Sequence, residues 1–306
     1  MDQTLSEPVG DGKRLLYVSL TTQGKRDGYI NIKDTYTTSF EAPSKGYNFF
    51  GLYDGHGGDY VANYCANNLH NFLSTELDEC GGIEKAIENG YFEIDGYLRN
   101  DENVKKQGCT AITVIVTPDK VYVGNAGDSR AVISEFADIS KSNNLIESEA
   151  ILMSNNHIPA QDEEFIRIKI PEPSMPVTRA IGYFEFKKSE SVDEQVIIAS
   201  PDIKEQKISE NTEFLVLANY GIWNVFDFYE DPSQAVIDFI SEEIVKHLSI
   251  EKACNNLLNY CQEKDSNNNM TIIVVAFLKD QQEDDWYNMI KKRHENTKSE
   301  IRTANY

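Results

Sequence analysis

Basic residues are scarce in this chain. Its 306 residues include 29 lysines and arginines against 50 aspartates and glutamates, a net charge of −21. General binding to nucleic acid or to an anionic membrane needs a basic face, so neither is expected as a partner. Long apolar runs are missing as well, which excludes a membrane span. The first residues are polar and acidic and show no secretory pattern, and Asp2 rather than a glycine follows Met1, so no myristoyl acceptor is expected. The five cysteines, Cys65, Cys80, Cys109, Cys254 and Cys261, are scattered without a C-x-x-C pair. An odd, unpaired set fits free thiols in a reducing compartment, so the expected location is cytoplasmic or nuclear. There is no C-x₅-R signature of a cysteine phosphatase and no G-x-S-x-G elbow.

What is present suits one globular core: 40% of the residues are hydrophobic and 26% are charged. Residues 14–20 and 47–53 read as strands, and a segment over 29–36 lies between them. From Gly58, the apolar residues Val61, Ala62, Cys65, Leu69, Phe72 and Leu73 recur at helical spacing, and residues 83–99 make a second helix. The β-branched runs 111–116 and 121–125 flank Thr117-Pro118-Asp119-Lys120 and read as a hairpin, with another strand over 131–134. Residues 135–148 read as an exposed loop, and 155–182, with four prolines, as extended chain crossing the surface. Short strands are expected at 196–199 and 214–218. Asp231 with Pro232 opens a helix, a further helix carries Ala253, Cys254, Leu257, Leu258 and Cys261, and a buried strand covers 271–277. A last helix over about 284–300 is expected to be partly free of the body. Cys65, Cys254 and Cys261 are expected in the core.

The stretch that carries chemistry is Asp54-Gly55-His56-Gly57-Gly58, an aspartate at the end of an apolar strand followed by a glycine-rich turn. A strand end holds a carboxylate rigidly, the glycines admit a ligand or another backbone, and the histidine passes protons near neutral pH. Alone, such a turn is better explained by an aspartate capping the next helix. Three further groups supply company for it: G-C-T-A at 108–111 with N-A-G-D-S-R-A-V at 125–132, V-T-R-A-I-G at 177–182, and L-A-N-Y-G-I-W-N-V at 217–225 with S-N-N-N-M-T at 266–271.

In this order the set resembles the metal-dependent Ser/Thr protein phosphatases of type 2C, over about residues 14–280. The resemblance implies an α+β fold, a four-layer α-β-β-α sandwich of two antiparallel sheets flanked by helix pairs. It divides the chain into a polar lead-in (1–13), the phosphatase-like domain (14–280) and a helical tail (281–306). In active members two Mn²⁺ or Mg²⁺ ions hold a hydroxide that attacks phosphoserine or phosphothreonine. The resemblance assigns Asp54 as the bridging metal ligand, Gly55 as a carbonyl ligand, His56 as the general acid, Arg26 as the phosphate-gripping residue and Asp128 as a ligand to a weaker third metal.

The other ligand positions are degenerate. The family's D-G-I-W-D is replaced at both aspartates, by Tyr220 and Asn224, and its D-N-M-T begins here with Asn268. The family's glutamate aligns with Lys33, beside Asp34, if an insertion is allowed, and with Ile30 if not. The aspartate of R-A-L-G-D is Tyr183. One clear carboxylate cannot balance about four positive charges, so the dinuclear site should be lost. If Lys33 is the aligned residue, its ammonium can pair with Asp54 in place of the cation. The expected function is a pseudophosphatase acting as a binding or scaffold module in phospho-signalling, with no cofactor and with a protein partner, a kinase or a phosphoprotein. The alternative is an active enzyme that uses a rearranged or single Mn²⁺ or Mg²⁺ site.

Overall fold

The computed structural model describes residues 3–5, 14–24, 35–42, 46–104, 106–137, 148–168, 177–189 and 191–304. Strands β1 (Gln3–Leu5), β2 (Arg14–Thr22), β3 (Thr35–Ala42) and β4 (Tyr47–His56) lead into helices α1 (Tyr60–Cys80) and α2 (Ile83–Leu98). Strands β5 (Gly108–Val116), β6 (Lys120–Ala126), β7 (Arg130–Phe136) and β8 (Ser148–Leu152) follow, then helix α3 (Asp162–Ile168) and the short β9 (Ile181–Gly182). Strands β10 (Asp202–Lys207) and β11 (Thr212–Ala218) precede α4 (Tyr220–Phe226), α5 (Pro232–His247) and α6 (Ile250–Glu263). Strand β12 (Met270–Lys279) and helix α7 (Glu283–Ala304) end the described chain.

The strands form two sheets, one in the order β1-β2-β12-β11-β7-β8 and the other β10-β6-β5-β4-β3, with β9 added beside β5. All the ladders that join them are antiparallel. Alternation along the strands explains the layering. Ile272, Val274 and Ala276 of β12 face a core shared with α4, α5, α6 and α7, while Ile273, Val275 and Phe277 face the seam between the sheets. Ile112 and Val114 of β5 meet that seam from the second sheet, and Ala111 and Ile115 turn to α1 and α2. Four layers result, α-β-β-α, as expected. Strands buried on both faces read as continuous apolar runs, which is why β5, β11 and β12 stood out. Among the described residues no helix is long and apolar enough to cross a membrane.

Caps and turns follow local chemistry. The hairpin turn closes through Thr117 N–H to Lys120 O at 2.9 Å. Asp231 Oδ1 accepts from Gln234 N–H at 3.0 Å with Pro232 at the helix start. Cys65, Cys109, Cys254 and Cys261 are buried free thiols.

The structure corrects several expectations. Residues 3–5 of the polar lead-in form a strand paired with β2. In the segment 29–36, β3 begins at Thr35, and residues 29–34 lie outside the described set. Residues 196–199 contribute one isolated bridge, Arg179 to Ile198, rather than a strand. The edge strands β8 and β10 were not expected either: β8 is only five residues long, and β10 is rich in polar residues, as edges are.

Of the segment 155–182, residues 155–168 do not run over the surface as extended chain: they contain α3, and His157 and Glu164 are each 2% exposed. Glu164 is buried because two guanidiniums reach it, Arg167 Nη2 at 2.9 Å and Arg179 Nη2 at 2.7 Å. The start of α7 is docked: Trp286, Tyr287 and Ile290 belong to the core against α5.

Candidate functional site

The ends of β2, β4, β6, β11 and β12 meet at one end of the sandwich. Strand β4 delivers Asp54, which is buried, and Gly57 and Gly58, with φ of +76° and +151°, turn the chain into α1. A side chain at Gly58 would strike the Gln107 amide, whose Oε1 accepts from Tyr60 N–H at 3.1 Å. The first turn of α1 therefore takes its cap from Gln107, which removes the reading of Asp54 as that helix's cap.

Asp54 is held from across the sandwich. Asn219, at the end of β11, donates from Nδ2 to Asp54 Oδ2 at 3.0 Å and to Asn269 O at 2.8 Å, and its Oδ1 accepts from Thr271 N–H at 2.9 Å. One carboxamide thus joins both sheets to the loop that enters β12. Thr21 and Thr271 hydroxyls meet at 3.0 Å, and Gly24 packs so closely that a Cβ there would lie 2.3 Å from Asn268 O.

His56 is half-buried, with Nδ1 3.1 Å from the Asp54 carbonyl oxygen. Asp128, in the turn between β6 and β7, is buried, and its Oδ1 has no hydrogen-bond partner among the described residues. Burial pushes its carboxyl up to about 6; the His56 charge opposes that rise and the Asp54 charge adds to it. Tyr183 adopts a left-handed backbone, φ 51°, and lays its ring against Gly108, where a Cβ would meet Cδ2 at 2.2 Å. Its hydroxyl is raised first by burial, then by the charges of Cys109, Asp54 and Asp128.

Asp54, Gly55, His56 and Asp128 lie at the same end of the sandwich, with Tyr183 beside them. Tyr220, directly after Asn219, is 41% exposed. Asn224 is half-buried one turn further along α4, with its Oδ1 lacking a partner among the described residues, and Asn268 lies against Gly24. Arg26, Ile30, Lys33 and Asp34 lie outside the described residues.

Sequence reasoning missed three contributors. Asn219 was visible beside Tyr220 but had no signal for its role, since its partners come from two distant strands. Lys187 is buried with Nζ 2.6 Å from Asp95 Oδ1 and 2.9 Å from Ala180 O, and Asp95 Oδ1 also accepts Gly182 N–H at 2.8 Å. That ion pair fastens the Tyr183 segment to α2; burial lowers the Lys187 ammonium and Asp95 opposes the fall. His157 Nδ1 accepts from Gly127 N–H at 3.2 Å and props the Asp128 turn.

Fold and site together define an α-β-β-α sandwich built around an aspartate-glycine-histidine turn at one sheet end. The protein phosphatase 2C family profile matches residues 26–270. The chain is 34% identical to protein phosphatase 2C homolog 2 of Schizosaccharomyces pombe, over 96% of this chain and 83% of that protein. It is 32% identical to the protein of the same name from Hypocrea jecorina, over 96% and 71%. The chain belongs to the protein phosphatase 2C family. Its fold is shared with a phosphatase of Toxoplasma gondii, at a TM-score of 0.71 and 18% identity over 89% of this chain and 94% of that one. It is also shared with a C. elegans sex determining protein, at 0.69 and 16% over 94% and 68%.

Proposed function

We propose that this chain is a pseudophosphatase of the 2C family, a module that binds within phospho-signalling and does not hydrolyse. The observation that carries this reading is the amide of Asn219 on Asp54 Oδ2, at 3.0 Å. An N–H donor there presents the positive end of a dipole to the one clear carboxylate of the family's core metal pair. The remaining positions are a phenol and two carboxamides, Tyr220, Asn224 and Asn268, none of them a carboxylate. Two hard dications need several charged oxygen ligands, so this donor set does not fit them. Among the described residues no group of three His, Cys, Asp or Glu side chains is placed to hold a metal.

Arg26 and His56 are retained and are proposed to grip a phosphate on a protein partner, a kinase or a phosphoprotein of the cytoplasm or nucleus. A phosphopeptide titration checks this: binding that survives Arg26→Ala removes the assignment. The unpartnered Oδ1 of Asp128 favours the alternative, weak turnover with a single Mn²⁺ or Mg²⁺ on Asp54 and Asp128.

Phosphatase assays with Mn²⁺ at about millimolar concentration separate the two readings. The expected result is no turnover that depends on Asp54. Calorimetry should give no metal heat for the wild type, and heat for the triple variant Tyr220→Asp, Asn224→Asp, Asn268→Asp. Wild-type turnover abolished by Asp54→Ala overturns the proposal.

A further inference from the structure

Two thiols meet on the helical side of the sheet that carries Asp54. Cys65 lies on the buried face of α1, and Cys109 is the second residue of β5, opposite Gly55 in the β4–β5 ladder. Both side chains are fully buried, and the Cys109 thiol donates to Cys65 Sγ at 3.7 Å. A disulfide bond is about 2.0 Å long, so the two sulfurs need to close by about 1.7 Å, within reach of rotation about their Cα–Cβ bonds. The other three cysteines have no such neighbour. Cys254 and Cys261 stand seven residues apart on α6, a rise of about 10 Å, which no disulfide spans. They also pack under the opposite helical face. Cys80 ends α1 fifteen residues after Cys65, about 22 Å along the helix, where its thiol donates to Glu76 Oε2 at 2.9 Å.

The pair sits at a junction. Gln107, two residues before Cys109, takes Tyr60 N–H on its side chain and Tyr183 N–H on its carbonyl, at 3.1 and 2.9 Å. The Lys106 carbonyl packs against Gly57, where a Cβ would lie 2.9 Å from it. Residues 106–109 thus hold the glycine turn, the start of α1 and the Tyr183 segment together, by contacts that are all non-covalent. Burial raises the Cys65 thiol, and its contact with Cys109 adds to the rise, so Cys65 rests protonated and reacts slowly. Large oxidants are kept out by the packing. A small uncharged one enters when the helical face opens locally.

We propose that Cys65 and Cys109 form a modification site, which hydrogen peroxide converts into a disulfide that makes the junction of α1 with β5 covalent. One sulfur attacks the peroxide: an S–O bond forms as the O–O bond breaks, and the departing hydroxide leaves as water with that thiol's proton. The second sulfur attacks the sulfenic acid. The S–S bond forms as the S–O bond breaks, and hydroxide leaves as a second water with the other thiol's proton. The two sulfurs together lose two electrons, and the peroxide gains them. The proposal goes beyond the pseudophosphatase reading and does not depend on it.

The test uses the full chain with Cys80→Ser, which removes the half-buried thiol and leaves four. The folded protein is kept for a day in about 5 mM hydrogen peroxide or about 5 mM oxidised glutathione, then unfolded in an alkylating agent and digested without reductant. Peroxide is expected to remove two of the four alkylated thiols and to give one cross-linked peptide pair, Cys65 with Cys109, that dithiothreitol releases. Glutathione should give none. Cys109→Ala should abolish the cross-link, and Cys254→Ala should leave it. The bond closes a span of 44 residues, so the oxidised chain should unfold at a higher urea midpoint than an equally treated Cys65→Ala chain. Thiols at both positions after peroxide, sulfinic or sulfonic acid there without a cross-link, or bonds to other cysteines each overturn the proposal. A midpoint no higher than the control overturns the bracing role, and an equal yield with glutathione overturns the choice of oxidant. None of these readouts uses turnover or phosphate, so the outcome is separate from that of the phosphatase assay.

Discussion

Asn219 fixes Asp54 against the loop that enters β12 through three hydrogen bonds of one carboxamide. Asn219→Ala removes donors from Asp54 and Asn269 O and the acceptor of Thr271 N–H. The expected loss is about 1–3 kcal/mol, read as a lower urea midpoint at unchanged slope.

Asp202 carries a pH dependence whose sign follows from its partners. Burial alone would raise its carboxyl, but the His157 ring, the Arg179 charge and the Asn155 amide hold it well below the usual carboxylate range. A carboxyl depressed in the folded state contributes stability above its unfolded value, about 3.9, and loses it as pH falls toward the folded one. Asp202→Asn should therefore be less stable than wild type at pH 7, with the difference shrinking below about pH 4 in matched urea titrations.

Motif identity made Asp54, His56 and Asp128 legible in the sequence, because strand ends and glycine turns leave local marks. Asn219, Gln107 and His157 were not legible, since each acts on a backbone or side-chain group far away in the chain.

At the scale of elements, α4 reverses a familiar rule. Glycine to alanine within a helix normally stabilises by about 1 kcal/mol. At Gly221, however, a Cβ would lie 2.1 Å from Asn269 O, a backbone atom of the site loop. Gly221→Ala should instead destabilise by about 1–3 kcal/mol, visible as a lowered thermal midpoint.

The Asp95–Lys187 pair offers a second test. Lys187→Met leaves Asp95 buried without its ammonium and should cost about 3–5 kcal/mol, whereas adding Asp95→Leu should recover much of the loss. A double-mutant cycle by chemical denaturation measures both. The amphipathic helices and doubly buried strands were readable from periodicity. Edge strands β8 and β10 were not, and α3 was hidden because a polar node around Glu164, rather than an apolar stripe, holds it.

Over the whole molecule, three buried layers account for the architecture: one between the sheets and one under each helical face. The closing helix belongs to this plan, since Trp286 is fully buried. Trp286→Ala should cost about 3–5 kcal/mol and open α7 to limited proteolysis before the remaining chain is cut.

The pairing of β2 with β12 also sets a schedule for biogenesis. Thr21 and Thr271 touch although 250 residues separate them. While the chain is being synthesised, one edge of β2 has no partner until β12 leaves the ribosome. Closure of that sheet must therefore wait for β12 and be slow, as non-local pairing is. Truncation before residue 270 would leave an apolar strand edge open, and such fragments should be recovered in aggregates or bound to chaperones.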